Sequence, residues 1–342
     1  DGIARLVEFL SSKADNHIIS EGMGDHMEPD RAKGESSLRP LRTPPSITST
    51  GYYYFDVWIL AQAAKVLGKT DDYERYSTLA GKIKNAFNEK FLNKQTNQYA
   101  TGSQTSNAMA LHLGLVPEDR QEAVLKNLVD DIMIKNEGHL STGLIGTNAL
   151  EQVLGEYGRA DVMYEITTNT TYPSWGRTIS KGATTVWETF DDTTEGPWHN
   201  FPLSLNRNML GSTEKFFYKD LAGIGLAAPG FRKINIKPRI VKDLTYAKAS
   251  LKTVRGMVSS HWKKTEGSVT LEVAIPVNST AKVSVPKIGL RNVTVTESDK
   301  TIWKNGKLLK GISGITSGTE TEDYVTFETG SGSYTFVLKG QR

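Results

Sequence analysis

The chain has 342 residues, enough to bury more than one core, and its 41 Lys and Arg against 38 Asp and Glu are spread along the length rather than gathered into a stripe. That distribution argues against a nucleic-acid partner, and the absence of cysteine excludes a disulfide framework or a thiolate metal site. No apolar run reaches the roughly 18 residues that span a bilayer, and the opening Asp-Gly-Ile-Ala-Arg has no leader-like pattern, so no membrane partner is expected and the compartment stays open.

In chain order, Ile3, Leu6, Val7 and Leu10 form one stripe at helical spacing, which predicts a helix over residues 3–14. The stretch 15–48, rich in Gly and Pro, reads as a long loop of the kind that is usually functional or disordered. Ser49 or Thr50 is placed to cap a second helix through Tyr54, Val57, Trp58, Ala61 and Ala64, ended by Gly68. A third, entered through Asp71 and Asp72, carries Tyr73, Tyr76, Leu79, Ile83, Phe87 and Phe91. Further helices are expected at 104–114, 117–134 with Pro117 leading, 145–157, 159–169 and 212–222, eight in all. Turns as short as Gly68 to Thr70 force successive helices to run antiparallel, so the region reads as helical hairpins.

Beyond Gly225 the period changes to two, with Ile234, Ile236, Val269, Leu271, Val273, Ile275, Val283 and Val285 alternating. Turn signals at Glu266-Gly267, Val277-Asn278, Asn305-Gly306 and Gly330 to Gly332 divide this region into short strands, which predicts an antiparallel β-sandwich. Pro229-Gly230 reads as the hinge, giving a helical domain at 1–228 and a β domain at 229–342, with Ser333 to Leu338 as the last strand.

The densest chemistry lies between Tyr172 and His199, where Trp175, Trp187 and Trp198 interleave with Glu188, Asp191, Asp192 and Glu195. Sugar sites need this mixture, because the C–H faces of a pyranose stack on rings while its hydroxyls seek ionised acceptors. A surface loop with buried tryptophans would carry the same residues. The six histidines lack metal-ligand spacing, and the glycines form no phosphate-binding pattern, so no metal or cofactor is expected.

Gly182-Ala183-Thr184-Thr185-Val186-Trp187-Glu188 closely resembles the Gly-Ala-Thr-Thr-x-Trp-Glu segment of the family 78 α-L-rhamnosidases. Tyr172 to Gly176, Gly211 to Ile224, Gly24-Asp25, Gly51 to Asp56, Thr101 to Ala108 and His139 to Gly143 are similar to that family too. The resemblance implies an (α/α)6 toroid followed by a β-sandwich, and hydrolysis of terminal α-L-rhamnosyl groups with inversion. It makes Glu188 the general base, and Asp25, His26, Asp56, His139, Trp175, Trp187, Asn206 and Arg207 residues that face the sugar. The general acid of the family belongs to an upstream Asp-Cys-Pro-x-Arg type motif that nothing here matches, and eight helices fall short of twelve. Both imply the C-terminal part of a barrel that another segment of the same barrel would complete.

Two positions depart from the family. His26 stands where Gly-Asp-Trp is common, and Arg207 stands where a histidine follows asparagine. An arginine there suits an anionic group, so an acidic rhamnose-containing polysaccharide is one expectation, while an ion pair with Asp191, Asp192 or Glu195 is the plainer one. Asp56, following a run of aromatics, would either accept from sugar hydroxyls or favour the start of its helix. The competing functional readings are a lyase or phosphorylase on the same toroid, and a carbohydrate-binding remnant without turnover.

Overall fold

The computed structural model describes residues 2–29, 39–190, 204–309 and 313–342. The chain divides into two compact units, 1–213 and 214–342. Residues 214–228, grouped with the helices from the periodicity, associate in the structure with the strands.

The first unit is built from α1 (Gly2–Lys13), α2 (Pro45–Val66), α3 (Thr70–Phe91), α4 (Gln104–His112), α5 (Gln121–Asp130), α6 (Leu144–Glu156), α7 (Ala160–Thr168) and α8 (Trp175–Ser180). Helix α2 begins earlier than expected, at Pro45, because a proline in the first turn gives up no hydrogen bond and its fixed φ already suits a helix. Ser49 and Thr50 therefore do not cap it. Ser49 Oγ donates to the Glu21 carbonyl (2.7 Å), and Thr50 Oγ1 accepts from Ile19 N (3.1 Å), so these hydroxyls tie the preceding segment to the side of α2.

Helices α2 and α3 form the expected hairpin, closed by Gly68 at φ 68°, and α3 buries Tyr76, Ala80, Ile83, Phe87 and Phe91. A two-residue pair, β1 (Leu92–Asn93) and β2 (Gln98–Tyr99), follows it, turned by the Asn93 carboxamide, which accepts from Gln95 N and Thr96 N. The helix expected at 117–134 is a 3-10 turn, then α5, then a π turn at Asp131–Lys135. Helix α8 escapes the periodicity because six residues cannot display a stripe. No helix among the described residues is long and apolar enough to cross a membrane.

The second unit opens with α9 (Glu214–Phe216), which continues as a π turn to Leu221. Its last carbonyls are met by side chains: Trp262 Nε1 donates to Leu221 O (2.7 Å) and Ser260 Oγ to Ala222 O (2.6 Å). Among the described residues twelve strands follow: β3 (Ile224–Leu226), β4 (Lys233–Ile236), β5 (Tyr246–Thr253), β6 (Gly256–Thr265), β7 (Ser268–Ile275), β8 (Thr280–Pro286), β9 (Arg291–Glu297), β10 (Lys300–Lys304), β11 (Lys307–Leu308), β12 (Ile315–Glu320), β13 (Tyr324–Thr329) and β14 (Gly332–Gln341). They form sheets ordered β11-β10-β9-β14-β7-β6-β5 and β12-β13-β8-β4-β3. The antiparallel expectation fails at one pair, since β4 runs parallel to β8. The alternating inward residues of both sheets, among them Trp262, Phe327 and Phe336, make the core of a sandwich, and the stacked Phe327 and Phe336 rings (5.3 Å) join one sheet to the other.

Candidate active site

The Glu188 segment leaves α8 and is zipped to residues 204–207. Glu188 N donates to Ser204 O (3.0 Å), Arg207 N to Val186 O (2.8 Å), and Thr185 Oγ1 to Leu205 O. From Val186 to Glu188 the chain advances two residues while its partner advances three, from Ser204 to Arg207, so the pairing carries a bulge-like irregularity. Such an extra residue re-aims the side chains beside it.

That pairing turns Arg207 onto Glu188. The Glu188 carboxylate is 6% exposed. Its Oε1 accepts from Arg207 Nη1 in an ion pair, and its Oε2 accepts from Ser204 N at 2.9 Å. The Arg207 side chain is 41% exposed, so the pair bridges from a buried carboxylate to the surface. Sequence reasoning offered Arg207 an anion of the substrate or Asp191, Asp192 or Glu195. The structure shows Glu188 as its partner, and residues 191–203, including those three carboxylates, Trp198 and His199, lie outside the described residues. Asn206 is exposed beside the pair, with its backbone N–H on Ser204 Oγ (3.2 Å).

Behind this strip lies a cavity of about 290 Å³ lined by Trp175, Ile179, Val186, Trp187, Phe190 and Leu210 among others. Trp175 is held there by its indole N–H on Leu210 O (3.0 Å) and by edge contact with Phe190 (5.2 Å between rings). The lining includes the neighbours of Glu188 on both sides but not Glu188 itself.

Asp25, His26 and Asp56 lie on or near α2 and α6, and His139 lies apart from them between two loops. Asp25 is fully buried, and its two oxygens accept from Gly143 N (2.8 Å), Ile145 N (3.0 Å), Gly146 N (3.0 Å) and Thr105 Oγ1. It is a buried carboxyl group seated on the N-terminus of α6, whose backbone donors occupy both of its oxygens. Burial nonetheless raises its carboxyl above the ordinary 3.8, the four donors offsetting only part of that cost. Glu28, which sequence reasoning missed, is similarly buried, with Oε2 receiving Leu41 N and Arg42 N (2.8 Å), and its carboxyl is raised by burial.

His26 is 8% exposed, its Nδ1 has no hydrogen-bond partner among the described residues, and its carbonyl accepts Leu144 N (3.0 Å). Asp56 sits well inside α2 rather than at its start, too far from the helix N-terminus to be stabilised by it. Burial raises its carboxyl, and Tyr52, one turn earlier and 43% exposed, has its hydroxyl raised by burial and then by the charges of Asp25 and Asp56. His139 has both ring nitrogens engaged, with Asn136 O (2.9 Å) and Thr171 Oγ1 (2.8 Å), as a clip between two loops. The structure thus sorts the expected residues into a Glu188–Arg207 group flanked by Trp175 and Trp187, and an Asp25–His26–Asp56 group. Among the described residues, no cluster of three or more His, Asp or Glu side chains is arranged to hold a metal ion.

Comparison with known proteins gives one consistent result. Residues 2–221 match the model of the bacterial alpha-L-rhamnosidase six-hairpin glycosidase domain, and residues 223–300 that of the bacterial alpha-L-rhamnosidase C-terminal domain. An alpha-L-rhamnosidase of Formosa agariphila is 33% identical over 271 residues, 78% of this chain and 29% of the relative. The solved alpha-L-rhamnosidase from Dictyoglumus thermophilum superposes with a TM-score of 0.86 at 40% identity, over 99% of this chain and 36% of that one. The enzyme of Streptomyces avermitilis, solved in complex with L-rhamnose, gives 0.81 at 28% identity, over 98% and 30%. The chain spans about a third of the length of these relatives. Matched through both its helical and its strand-rich parts, the chain belongs to the bacterial α-L-rhamnosidase family.

Proposed function

We propose that this chain carries the general base of an inverting α-L-rhamnosidase, and that the base is Glu188. The observation that carries the reading is the state of that carboxylate. It is buried beside an aromatic-lined cavity, its rotamer is held by one donor on each oxygen, and a carboxylate has lone pairs beyond those two with which to take a proton. In an inverting glycosidase such a group activates a water on one face of the sugar while a second carboxyl, roughly 6.5 to 9.5 Å away, protonates the leaving oxygen on the other. The general acid is assigned to a segment outside this sequence, and the substrate to a terminal α-L-rhamnosyl group, in keeping with the relative that holds L-rhamnose. An acidic substrate is less well supported than a neutral one, because the ion pair with Glu188 already takes up the charge of Arg207.

Replacing Glu188 by Gln in the complete enzyme keeps shape and removes the proton acceptor. On an aryl α-L-rhamnoside kcat is expected to fall by about 10² to 10⁴. Near-normal kcat in that variant would remove the assignment. Proton NMR of the first-formed sugar gives an independent check, since retention of the anomeric configuration is incompatible with a single displacement by a water that Glu188 activates.

A further inference from the structure

We infer that Arg207 is a positioning residue for Glu188: the guanidinium, aimed by the bulged pairing of 186–188 with 204–207, locks the base in the orientation from which it accepts a proton from water. The inference rests on Glu188 being the base.

The geometry supplies the reason. A free glutamate side chain has several rotamers, and productive catalysis requires one of them. Ser204 N fixes only Oε2, and about that single contact the carboxylate can still pivot. The second contact, from Arg207 Nη1 to Oε1, removes the pivot. The two donors come from opposite ends of the same short segment, whose backbone is in turn bonded to Val186 and Glu188, so clamp and base form one closed unit. Arg207 has an alternative in water, being 41% exposed, yet it turns inward to a carboxylate only 6% exposed. A guanidinium is suited to this task because it keeps its charge and presents its N–H groups in a rigid plane.

A residue that acts only through Glu188 leaves a recognisable signature. In the complete enzyme, Arg207→Gln is expected to lower kcat about 10- to 100-fold, since a misplaced reacting group commonly costs up to about 10² in rate, while KM changes by less than about threefold. The loss should be equal on neutral and acidic rhamnosides. Arg207→Lys, which restores a cation within reach of Oε1, should recover at least about fivefold of it. In a Glu188→Gln background, Arg207→Gln should add less than about twofold, because residues that work as a unit do not multiply their losses. Unchanged kcat, a loss confined to KM, a loss confined to acidic substrates, or full multiplication in the double variant would each overturn the inference. Should Arg207→Gln fail to fold, Arg207→Lys and its combination with Glu188→Gln carry the same comparison. A fully active Glu188→Gln enzyme would instead bring down the reading of Glu188 itself, and the inference with it.

Discussion

Asp25 and Glu188 are both buried carboxylates in segments that resemble the same family, and they do opposite things with their burial. Asp25 receives four donors, three of them backbone N–H groups of the α6 N-terminus, and is sealed from solvent. Glu188 receives one backbone donor and one guanidinium that reaches the surface. The first arrangement spends every lone pair on holding the fold, and the second, among the described residues, leaves some free beside an aromatic-lined cavity. If Glu188 is the base proposed above, what separates an anchoring carboxylate from a reactive one is how many of its acceptor sites the protein consumes, not how deeply it is buried.

The contrast can be broken by substitution. Glu188→Gln should change barrier height by roughly 3 to 5 kcal/mol, the equivalent of its rate loss, and stability by less than about 1 kcal/mol. Asp25→Ala should do the reverse. Leaving three buried N–H groups and the Thr105 hydroxyl without an acceptor is expected to cost on the order of 3 kcal/mol or more in urea unfolding. A stability change under 1 kcal/mol would show that water replaces the carboxylate at the α6 N-terminus. Gly146→Ala sharpens the point from the other side. A Cβ there would collide with Thr105 Oγ1 and Asp25 Oδ2, so about 1 to 3 kcal/mol of destabilisation is expected without any change in charge.

The smallest effect concerns pH. Because burial raises the Asp25 carboxyl, its stabilising contribution is fully present below 3.8 and is lost as pH rises through the raised value. Asp161, whose carboxyl is lowered by its hydrogen bonds from Arg159 (2.9 and 2.8 Å), behaves oppositely: its contribution is present above 3.8 and is lost as pH falls. The pair is half-exposed and screened, so Asp161→Asn should cost only about 0.2 to 1 kcal/mol at neutral pH. Melting curves should show the gap between wild type and Asp161→Asn closing on acidification, while the gap between wild type and Asp25→Ala narrows as pH rises. Parallel behaviour of the two would contradict the opposed causes assigned to them.

Much of this was legible in the residues. Long stripes such as Tyr76, Ile83 and Phe87 locate α3, and the period-two run through Val269, Leu271 and Val273 locates β7. The Gly-Ala-Thr-Thr-Val-Trp-Glu segment singles out Glu188. What escaped was set by contacts distant in sequence. Nothing local says that Arg207 meets a carboxylate 19 positions earlier, because the bulge that brings them together is a property of two paired segments. That the Asp25 oxygens meet the end of a helix was equally hidden, because an aspartate after glycine in a loop has the same letters whatever it faces. The parallel pairing of β4 with β8 is likewise invisible to alternation, which reports which face a residue takes but not the direction of its neighbour.

The seat of Asp25 also bears on how the chain reaches its native state. The helical hairpins are made of near neighbours and can form by local search, whereas the bonds from residue 25 to residues 143, 145 and 146 close a span of 118 to 121 residues. The length-dependent part of closing a flexible loop of that size is about 4 kcal/mol in chain entropy, recovered only after α6 exists and its first turn is exposed to receive the carboxylate. The lock therefore belongs to the late, downhill side of folding. There it does little to speed assembly and much to slow escape, so that the lifetime of the folded helical unit, more than its rate of formation, is written into one aspartate.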